Sequence, residues 1–223
     1  MNKQDVDTIL KILSETYPEA KCALNFNSPY ELLVSTMLSA QCTDVRVNKV
    51  TSELYKEFNT PEKMVSLTEE ELGEKIKSCG FFRNKSKHIL ETSREIMENY
   101  QGHVPDNMKE LIKLPGVGRK TADVVLSNAF GIPAIAVDTH VFRVSNRLGI
   151  ARGSTPHKVE MELMKNIPRD MWSDSHHYLI WHGRRICKSR KPDCEHCPVA
   201  PYCEYFNHPE EQEKKAEIKD KKA

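Results

Sequence analysis

Four cysteines are concentrated in a short segment near the C-terminal end of the 223-residue chain. They are separated by six, two and five residues, and the segment also contains proline. Thiolates are soft ligands, and four of them typically bind Zn²⁺ or an iron–sulfur cluster. The N-terminus lacks the apolar region of a secretory signal, so a disulfide framework is not expected. We therefore predict a metal centre, with zinc and iron both open, held by Cys187, Cys194, Cys197 and Cys203.

A lysine and an aspartate form a second candidate site. Lys120 lies within the glycine-rich stretch LPGVGRKTA (114–122), in the first turn of the helix that this stretch predicts. The positive end of the helix dipole and the adjacent Arg119 disfavour an ammonium ion there, which favours a nucleophilic amine. Asp138 precedes another helical pattern and is either a helix cap or a carboxylate partner for Lys120. Taken alone, a solvated lysine and a helix cap are the simpler interpretation.

The residues before Lys120 predict a helix, a tight turn and a second helix. Gly116 and Gly118 permit backbone angles that are closed to other residues, and they let a partner approach the main chain. The start of the second helix offers N–H groups to an anion such as a DNA phosphate. The alternative is an ordinary turn between two helices. The predicted DNA contacts are Leu114, Gly116, Val117, Gly118 and Arg119.

Cationic residues cluster in two further places. The segment around the first cysteine of the motif contains Arg184, Arg185, Lys188, Arg190 and Lys191. These side chains suit contacts with phosphate, although they would equally compensate the negative charge of the thiolates. The stretch RNKSKH (83–88) follows the pair Phe81–Phe82, which is either a wedge between bases or part of the core.

The rest of the chain predicts a helical scaffold for these residues. Helix start signals are Ser28 with Pro29 and Glu31, Thr60 with Pro61, Thr68 with Glu71, Asp106, and Thr155 with Pro156. The apolar run AIAV (134–137) is a candidate strand, but it has no obvious partner. We therefore predict an all-α fold.

Composition and charge exclude several classes of protein. A hydrophobic fraction of 39%, a charged fraction of 29% and a net charge of +1 are typical of a soluble globular protein. A nucleic-acid partner must then meet a local basic patch, because the protein is not basic as a whole. No apolar run is long enough to span a membrane, so we expect a cytoplasmic protein, and a monomer, with no membrane partner. The charged stretch 208–223 predicts a disordered tail.

Several motifs in one order resemble a known family. They are LSAQCTD (38–44), GFFRNK (80–85), LPGVGRKTA (114–122), VDTHVFRVSNRLG (137–149), SHHYLIWHGRRIC (175–187) and the cysteine array. Over residues 5–205 the chain resembles the helix–hairpin–helix DNA glycosylases with a C-terminal four-cysteine iron–sulfur motif, specifically the endonuclease III branch. The resemblance favours functional roles for Lys120 and Asp138 over the simpler interpretations.

The resemblance implies a two-domain, all-α fold. One domain is a six-helix barrel with the hairpin (22–132), and the other is a discontinuous domain (1–21 and 133–207) that carries a [4Fe-4S] cluster. DNA is expected across the cleft between the domains, with Lys120 and Asp138 at its mouth. The cluster is expected to be structural and to position DNA.

The function implied is that of a bifunctional DNA glycosylase and AP lyase. Such an enzyme removes oxidised or ring-saturated pyrimidines, of the thymine glycol type, from double-stranded DNA through a Lys120 Schiff base, and acts at the nucleoid of a prokaryote. Gln41 would fill the space of the flipped nucleotide, and Phe81 would wedge at the lesion, where leucine is usual. Two alternatives stay open: a monofunctional mismatch-specific glycosylase, and a non-catalytic iron–sulfur protein that binds DNA.

Overall fold

The computed structural model describes residues 1–208, and the rest of the predicted tail lies outside the described residues. Within that range all regular structure is helical and no strand forms, which confirms the predicted fold class. The apolar run at 134–137 is buried, but it joins no sheet. In the same range, no helix has both the length and the apolar character needed to cross a membrane.

The described chain contains twelve α-helices and three short 3₁₀ helices. The α-helices are α1 (Lys3–Thr16), α2 (Pro29–Leu38), α3 (Asp44–Leu54), α4 (Pro61–Met64), α5 (Glu69–Ile76), α6 (Phe82–Asn99), α7 (Met108–Leu111), α8 (Arg119–Ala129), α9 (Thr139–Leu148), α10 (Pro156–Asn166), α11 (Trp172–Arg185) and α12 (Glu204–Asn207). The 3₁₀ helices are Lys77–Cys79, Arg169–Met171 and Ala200–Tyr202. The described chain forms two compact units: one is Cys22–Ala134, and the other joins Met1–Lys21 to residues 135–208.

The unit Cys22–Ala134 is built around α2. Every residue of α2 from Tyr30 to Leu38 is buried, and a helix that is enclosed on all sides must form the centre of a core. Helices α3, α6 and α8 pack against it. Because α8 packs directly on this central helix, the turn that precedes α8 is attached to a rigid part of the unit.

The other unit packs α1 and α9 against α11, and α10 against α9. The buried residues of α1 are Val6, Ile9, Leu10 and Leu13, a spacing of three and four that places them on one helix face. They share a core with Val141, Val144 and Leu148 of α9. The N-terminal helix is therefore held by the C-terminal part of the chain, which includes the cysteine segment.

Most of the predicted helix starts are confirmed by capping hydrogen bonds. Thr68 and Glu71 form a reciprocal capping box at the start of α5. Thr60 accepts a bond from the first turn of α4, and Thr155 does so for α10. A hydroxyl that accepts an otherwise unpaired N–H stabilises a helix start by about 1 kcal/mol.

Two predicted caps need correction. Ser28 caps α2, but Glu31 does not complete a capping box. Its carboxylate accepts a 2.6 Å hydrogen bond from the N–H of Asn27, the residue before the cap, and not from the N–H of Ser28. The prediction that Asp106 caps the next segment is wrong. Asn107 caps α7 instead, because the short helix begins one residue later than expected.

Candidate functional site

The turn at 115–118 is a tight hairpin supported by α6. Gly116 has φ +73°, a left-handed backbone conformation that other residues rarely adopt. A Cβ atom at Gly116 would also lie 2.8 Å from the Cβ of His88, so the turn has no room for a side chain. The hydroxyl of Thr92 donates a 2.6 Å hydrogen bond to the carbonyl of Pro115. Helix α6 therefore supports the turn at two positions.

Helix α8 begins directly after this turn. Gly118 is its N-cap, with extended backbone, and a Cβ there would meet nothing within 4 Å. The Ala122 N–H donates to the Gly118 carbonyl, so the N–H groups of the first turn make no bond within the helix. Arg119 and Lys120 are both exposed in this turn. The helix start thus presents backbone donors and two cationic side chains on an open surface, which suits an anion.

Two of the predicted DNA contacts have buried side chains. Leu114 and Val117 belong to the hydrophobic core of the unit. The N–H of Val117 donates to the carbonyl of Leu114 at 3.0 Å, which closes the turn. Their side chains therefore fix the shape of the hairpin, and any contact with DNA at these positions is limited to the main chain.

Asp138 is the N-cap of α9, as the sequence indicates. Its Oδ1 atom accepts hydrogen bonds from the N–H groups of His140 and Val141, both at 2.8 Å. In the described part of the chain, Oδ2 has no hydrogen-bond donor. One oxygen thus forms the cap and the other is left for a second role. Asp138 and Lys120 belong to different compact units.

Gln41 and Phe81 share an unusual backbone conformation. Their φ angles are +53° and +47°, a left-handed region that is strained for residues other than glycine. Both residues are exposed, and the Phe81 ring is 64% exposed. Phe82, by contrast, packs against the core. The two aromatic residues therefore have different environments, and only the first is accessible to a partner.

Lys85 does not form part of a basic surface, contrary to the interpretation of residues 83–88. Its side chain is only 7% exposed. Its Nζ atom donates a 2.8 Å hydrogen bond to each of three backbone carbonyls, those of Leu38, Ala40 and Cys79. The signal for this position was its helical spacing of four residues from the buried Ile89, which places both on the inner face of α6.

The four cysteines of the motif line one pocket together with apolar side chains that include Leu148 and Ile186. Burial raises the pKa of Cys197 to about 11, and it also raises the pKa of Cys194 and Cys203. The neighbouring cysteines also raise these pKa values. Among the described residues, no three His, Cys, Asp or Glu side chains converge as the ligands of a single metal ion do. Four thiolates in one apolar pocket require a positively charged partner, and this donor set fits an iron–sulfur cluster.

Two arginines of α9 hold the cysteine segment, and neither was among the residues predicted from the sequence. The Nε of Arg143 donates to the Cys187 carbonyl at 3.1 Å, and Arg147 donates to the Cys187 Sγ at 3.5 Å. Arg147 also donates to the carbonyls of Lys188 and Ser189, at 2.6 and 3.0 Å. Their spacing of four residues places both arginines on one face of the helix, which was the available signal. Helix α9 therefore places two positively charged side chains beside the cysteine segment.

The basic residues near the cysteines have two different environments. The guanidinium of Arg185 lies 4.2 Å from the ring centroid of Trp181 and 5.8 Å from that of Tyr17, so it stacks on aromatic rings. The remaining predicted phosphate contacts are all exposed: Arg184, Lys188, Arg190 and Lys191. Arg147 holds the backbone of Lys188 and Ser189 against α9, so the main chain that carries Lys188 is held in place.

Comparison with known proteins agrees with this geometry. A model of the HhH-GPD superfamily of base excision DNA repair proteins matches residues 34–169, and a model of the iron–sulfur binding domain of endonuclease III matches residues 187–203. The chain is 50% identical to endonuclease III of Rickettsia felis over 94% of its length and 98% of the relative's. It is also 48% identical to endonuclease III of Bacillus subtilis, over 91% of this chain and 93% of that relative. A solved structure of a trapped endonuclease III–DNA covalent intermediate superposes with a TM-score of 0.89 at 45% identity, covering 94% of this chain and 99% of that chain.

The fold and the site therefore define a base excision repair enzyme of the helix–hairpin–helix class, a DNA glycosylase with AP lyase activity. Its partner is DNA, and the four-cysteine motif carries a [4Fe-4S] cluster. Within the HhH-GPD superfamily, the chain belongs to the endonuclease III family.

Proposed function

We propose that this glycosylase removes oxidised or ring-saturated pyrimidines, of the thymine glycol type, from duplex DNA and then cuts the strand 3′ to the abasic site. The observation that carries the proposal is the exposed Lys120 amine in the first turn of α8, directly after the glycine hairpin. A relative at 45% identity was trapped as a covalent intermediate with DNA, and such an intermediate needs a protein nucleophile. We assign this role to Lys120.

The hairpin binds the DNA backbone close to the reacting sugar. A phosphate approaches the main chain at Gly116 and Gly118, where there are no side chains, and accepts hydrogen bonds from the start of α8. The exposed Arg119 adds a positive charge. This contact carries no sequence information, so it suits an enzyme that must find a lesion in any sequence.

The reaction begins after the damaged nucleotide has been flipped out of the duplex, which costs least where the base stacks poorly. The neutral Lys120 amine attacks C1′, and the base leaves with the electron pair of the glycosidic bond and takes up a proton. Opening of the sugar ring then gives an imine between Lys120 and C1′. The imine acidifies the C2′ protons, so loss of one proton expels the 3′ phosphate by β-elimination.

Asp138 assists through the carboxylate oxygen that does not cap α9. Oδ1 holds the carboxylate in place through two backbone bonds, which leaves Oδ2 to stabilise positive charge on the sugar or to accept the proton of the amine. The cap and the catalytic role are therefore compatible in one residue. A capped carboxylate also has little freedom to lose on substrate binding, which favours catalysis.

Gln41 and Phe81 contact the lesion site within the duplex. In this proposal the Phe81 ring, which is exposed, wedges between bases, and Gln41 fills the space that the flipped nucleotide leaves. The [4Fe-4S] cluster supplies no step of the reaction, and its four cysteines fix the segment that carries the exposed cations. We place the enzyme at the nucleoid in the cytoplasm of a prokaryotic cell, where its substrate is.

Trapping with borohydride tests this proposal. The protein is incubated with a duplex that contains thymine glycol or an abasic site, and borohydride then reduces the imine to a stable protein–DNA adduct. We expect an adduct with the unchanged protein and none with Lys120→Ala. Lys113→Ala is a suitable control, because Lys113 is another exposed lysine near the hairpin and should leave the adduct unchanged.

The same assay separates the alternatives. A monofunctional mismatch glycosylase would release a base without forming an adduct or cutting the strand. A non-catalytic DNA-binding protein would shift the duplex in a gel and release no base. An adduct that persists in Lys120→Ala would assign the nucleophile to another residue and refute the proposed role.

A further inference from the structure

Two loops that are far apart in the sequence meet at one buried ammonium group. We define the Gln41 loop as residues 38–42 and the Phe81 loop as residues 79–81. The Nζ of Lys85 donates a 2.8 Å hydrogen bond to two carbonyls of the Gln41 loop and to one carbonyl of the Phe81 loop. An ammonium group has three N–H donors. Every donor of Lys85 is therefore used to hold these two loops together.

A second contact joins the same two loops without Lys85. Cys42, in the Gln41 loop, packs against the hydrophobic core that contains Cys79, in the Phe81 loop. Burial is the main cause that raises the pKa of Cys79 to about 11, and the nearby Cys42 raises it further. The two loops are thus packed against each other, and Lys85 lies at their junction.

The backbone is strained close to two of the three carbonyls that accept from Lys85. Gln41 follows Ala40, and Phe81 lies two residues after Cys79, whose carbonyls both accept from Lys85. Gln41 and Phe81 both have positive φ angles. Such conformations cost of order 1–3 kcal/mol each and persist only where the surrounding structure fixes them. The hydrogen bonds to Lys85 are placed where they can supply this restraint.

Helix α6 connects Lys85 with the hairpin. Lys85, His88 and Thr92 are spaced by three and four residues, so they lie along one side of the helix. His88 packs against Gly116, and Thr92 donates to the carbonyl of Pro115. Lys85 and Thr92 are seven residues apart, which is about 10 Å along a helix. One rigid element therefore sets the distance from the phosphate-binding turn to both loops.

We propose that Lys85 is a positioning residue that aligns the Gln41 loop and the Phe81 loop with the hairpin, so that the Gln41 and Phe81 side chains enter the duplex together. The inference rests on the proposed function, because it takes these two side chains as the ones that enter DNA. Lys85 touches neither the lesion nor the reacting sugar in this role. Its effect is to have the two loops in place before DNA binds, so that binding does not have to order them.

The test compares Lys85→Met, which keeps the length of the side chain but has no donor, with Lys87→Met on the same helix. Lys87 is exposed, with a long ion pair of 3.9 Å to Glu91. Three readouts are measured for each protein. They are the single-turnover excision of thymine glycol from a duplex, the fluorescence of 2-aminopurine placed opposite a stable abasic analogue, and strand cleavage at an abasic site in a single-stranded oligonucleotide.

Lys85→Met should slow excision from the duplex on the order of 10- to 100-fold, because a small misplacement of the site has costs of this size. The rise in 2-aminopurine fluorescence on binding should be reduced. Cleavage of the single strand needs no insertion into a duplex, so it should be unchanged and should report that the variant is folded. Lys87→Met should match the unchanged protein in all three readouts.

Lys85→Arg provides the conservative variant. It keeps a cationic donor and should retain more duplex excision than Lys85→Met. The proposal is overturned if Lys85→Met excises from the duplex at the normal rate, or if single-strand cleavage falls in parallel with duplex excision, which would indicate a general role in folding. Equal losses in Lys85→Arg and Lys85→Met would also overturn it. Failure of the proposed function appears separately, as an unchanged protein that neither excises thymine glycol nor cleaves the single strand.

Discussion

Replacing each hairpin glycine with alanine should separate the stability of the turn from its contact with DNA. In Gly116→Ala the new Cβ occupies a left-handed conformation, which costs about 1–2 kcal/mol. It also lies 2.8–2.9 Å from three atoms of His88, and relieving this contact costs about 1 kcal/mol, because the exposed His88 can shift. Alanine recovers about 0.4–1 kcal/mol by restricting the unfolded chain. The expected net loss of unfolding free energy is therefore about 1–3 kcal/mol.

Gly118→Ala is the matched control for stability. Its backbone is extended, and a Cβ there meets nothing within 4 Å. Replacing the glycine cap with alanine lowers the free energy of unfolding by about 0.5–1 kcal/mol. Alanine also restricts the unfolded chain, which raises the free energy of unfolding by a similar amount. The new methyl group would, however, stand beside the first N–H groups of α8. If a phosphate approaches there, losing one charge-assisted hydrogen bond should weaken duplex affinity by about 10- to 100-fold.

The two variants are compared by thermal unfolding, followed by circular dichroism, and by fluorescence anisotropy with an abasic-analogue duplex at one fixed salt concentration. Gly116→Ala should lower the melting temperature by about 2–4 °C per kcal/mol, and Gly118→Ala should leave it unchanged. The double variant Gly116→Ala/His88→Ala should recover the part of the lost melting temperature that is due to the contact with His88. No recovery would refute the steric argument, and normal affinity in Gly118→Ala would refute the approach of a phosphate to this position.

Three further predictions concern Asp138, the cluster and acid sensitivity. Asp138→Asn should keep the melting temperature, because asparagine caps helices equally well, and should lower single-turnover excision on the order of 10²–10⁴-fold; normal excision would limit Asp138 to the cap. Cys203→Ser should lose bound iron and sulfide, measured chemically, and melt at a lower temperature, whereas a full iron content would exclude Cys203 as a ligand. Burial lowers the pKa of His177 from 6.5 to about 4, so the unfolded chain binds a proton that the folded chain does not. Stability should therefore fall as the pH drops from 6.5 to 4, at a rate of up to about 1.4 kcal/mol per pH unit for this group, and His177→Gln should melt with a weaker dependence on pH over that interval.

Much of the fold and of the site could be predicted because it depends on short stretches of chain. Most of the helix starts follow from a hydroxyl or carboxylate and the N–H groups two or three residues later, and the cap at Asp138 is one of them. The hairpin follows from two glycines between helical patterns, and the metal centre follows from four cysteines within seventeen residues. Where two local candidates were adjacent, as with Asp106 and Asn107, the prediction failed by one residue.

The environments of the charged side chains were decided by tertiary structure. Lys85 belongs to a stretch that reads as basic surface, but three carbonyls from two distant segments enclose its ammonium group. No local pattern singled out Arg143 and Arg147, but they bind the backbone and the sulfur of a segment about forty residues later in the chain. Each of these contacts needs helices from separate parts of the sequence to pack first.

The sequence by itself determined which chemical groups are present and how each short segment folds. Residue types and spacing make Lys120, Asp138, the four cysteines and the glycine turn candidates, because the local geometry of each depends on neighbours a few residues away. Tertiary structure alone decided which cations are exposed and which, like Lys85, are buried against backbone carbonyls. A charged group is buried only where donors and acceptors from other segments repay its lost hydration, and those partners do not appear in any local pattern.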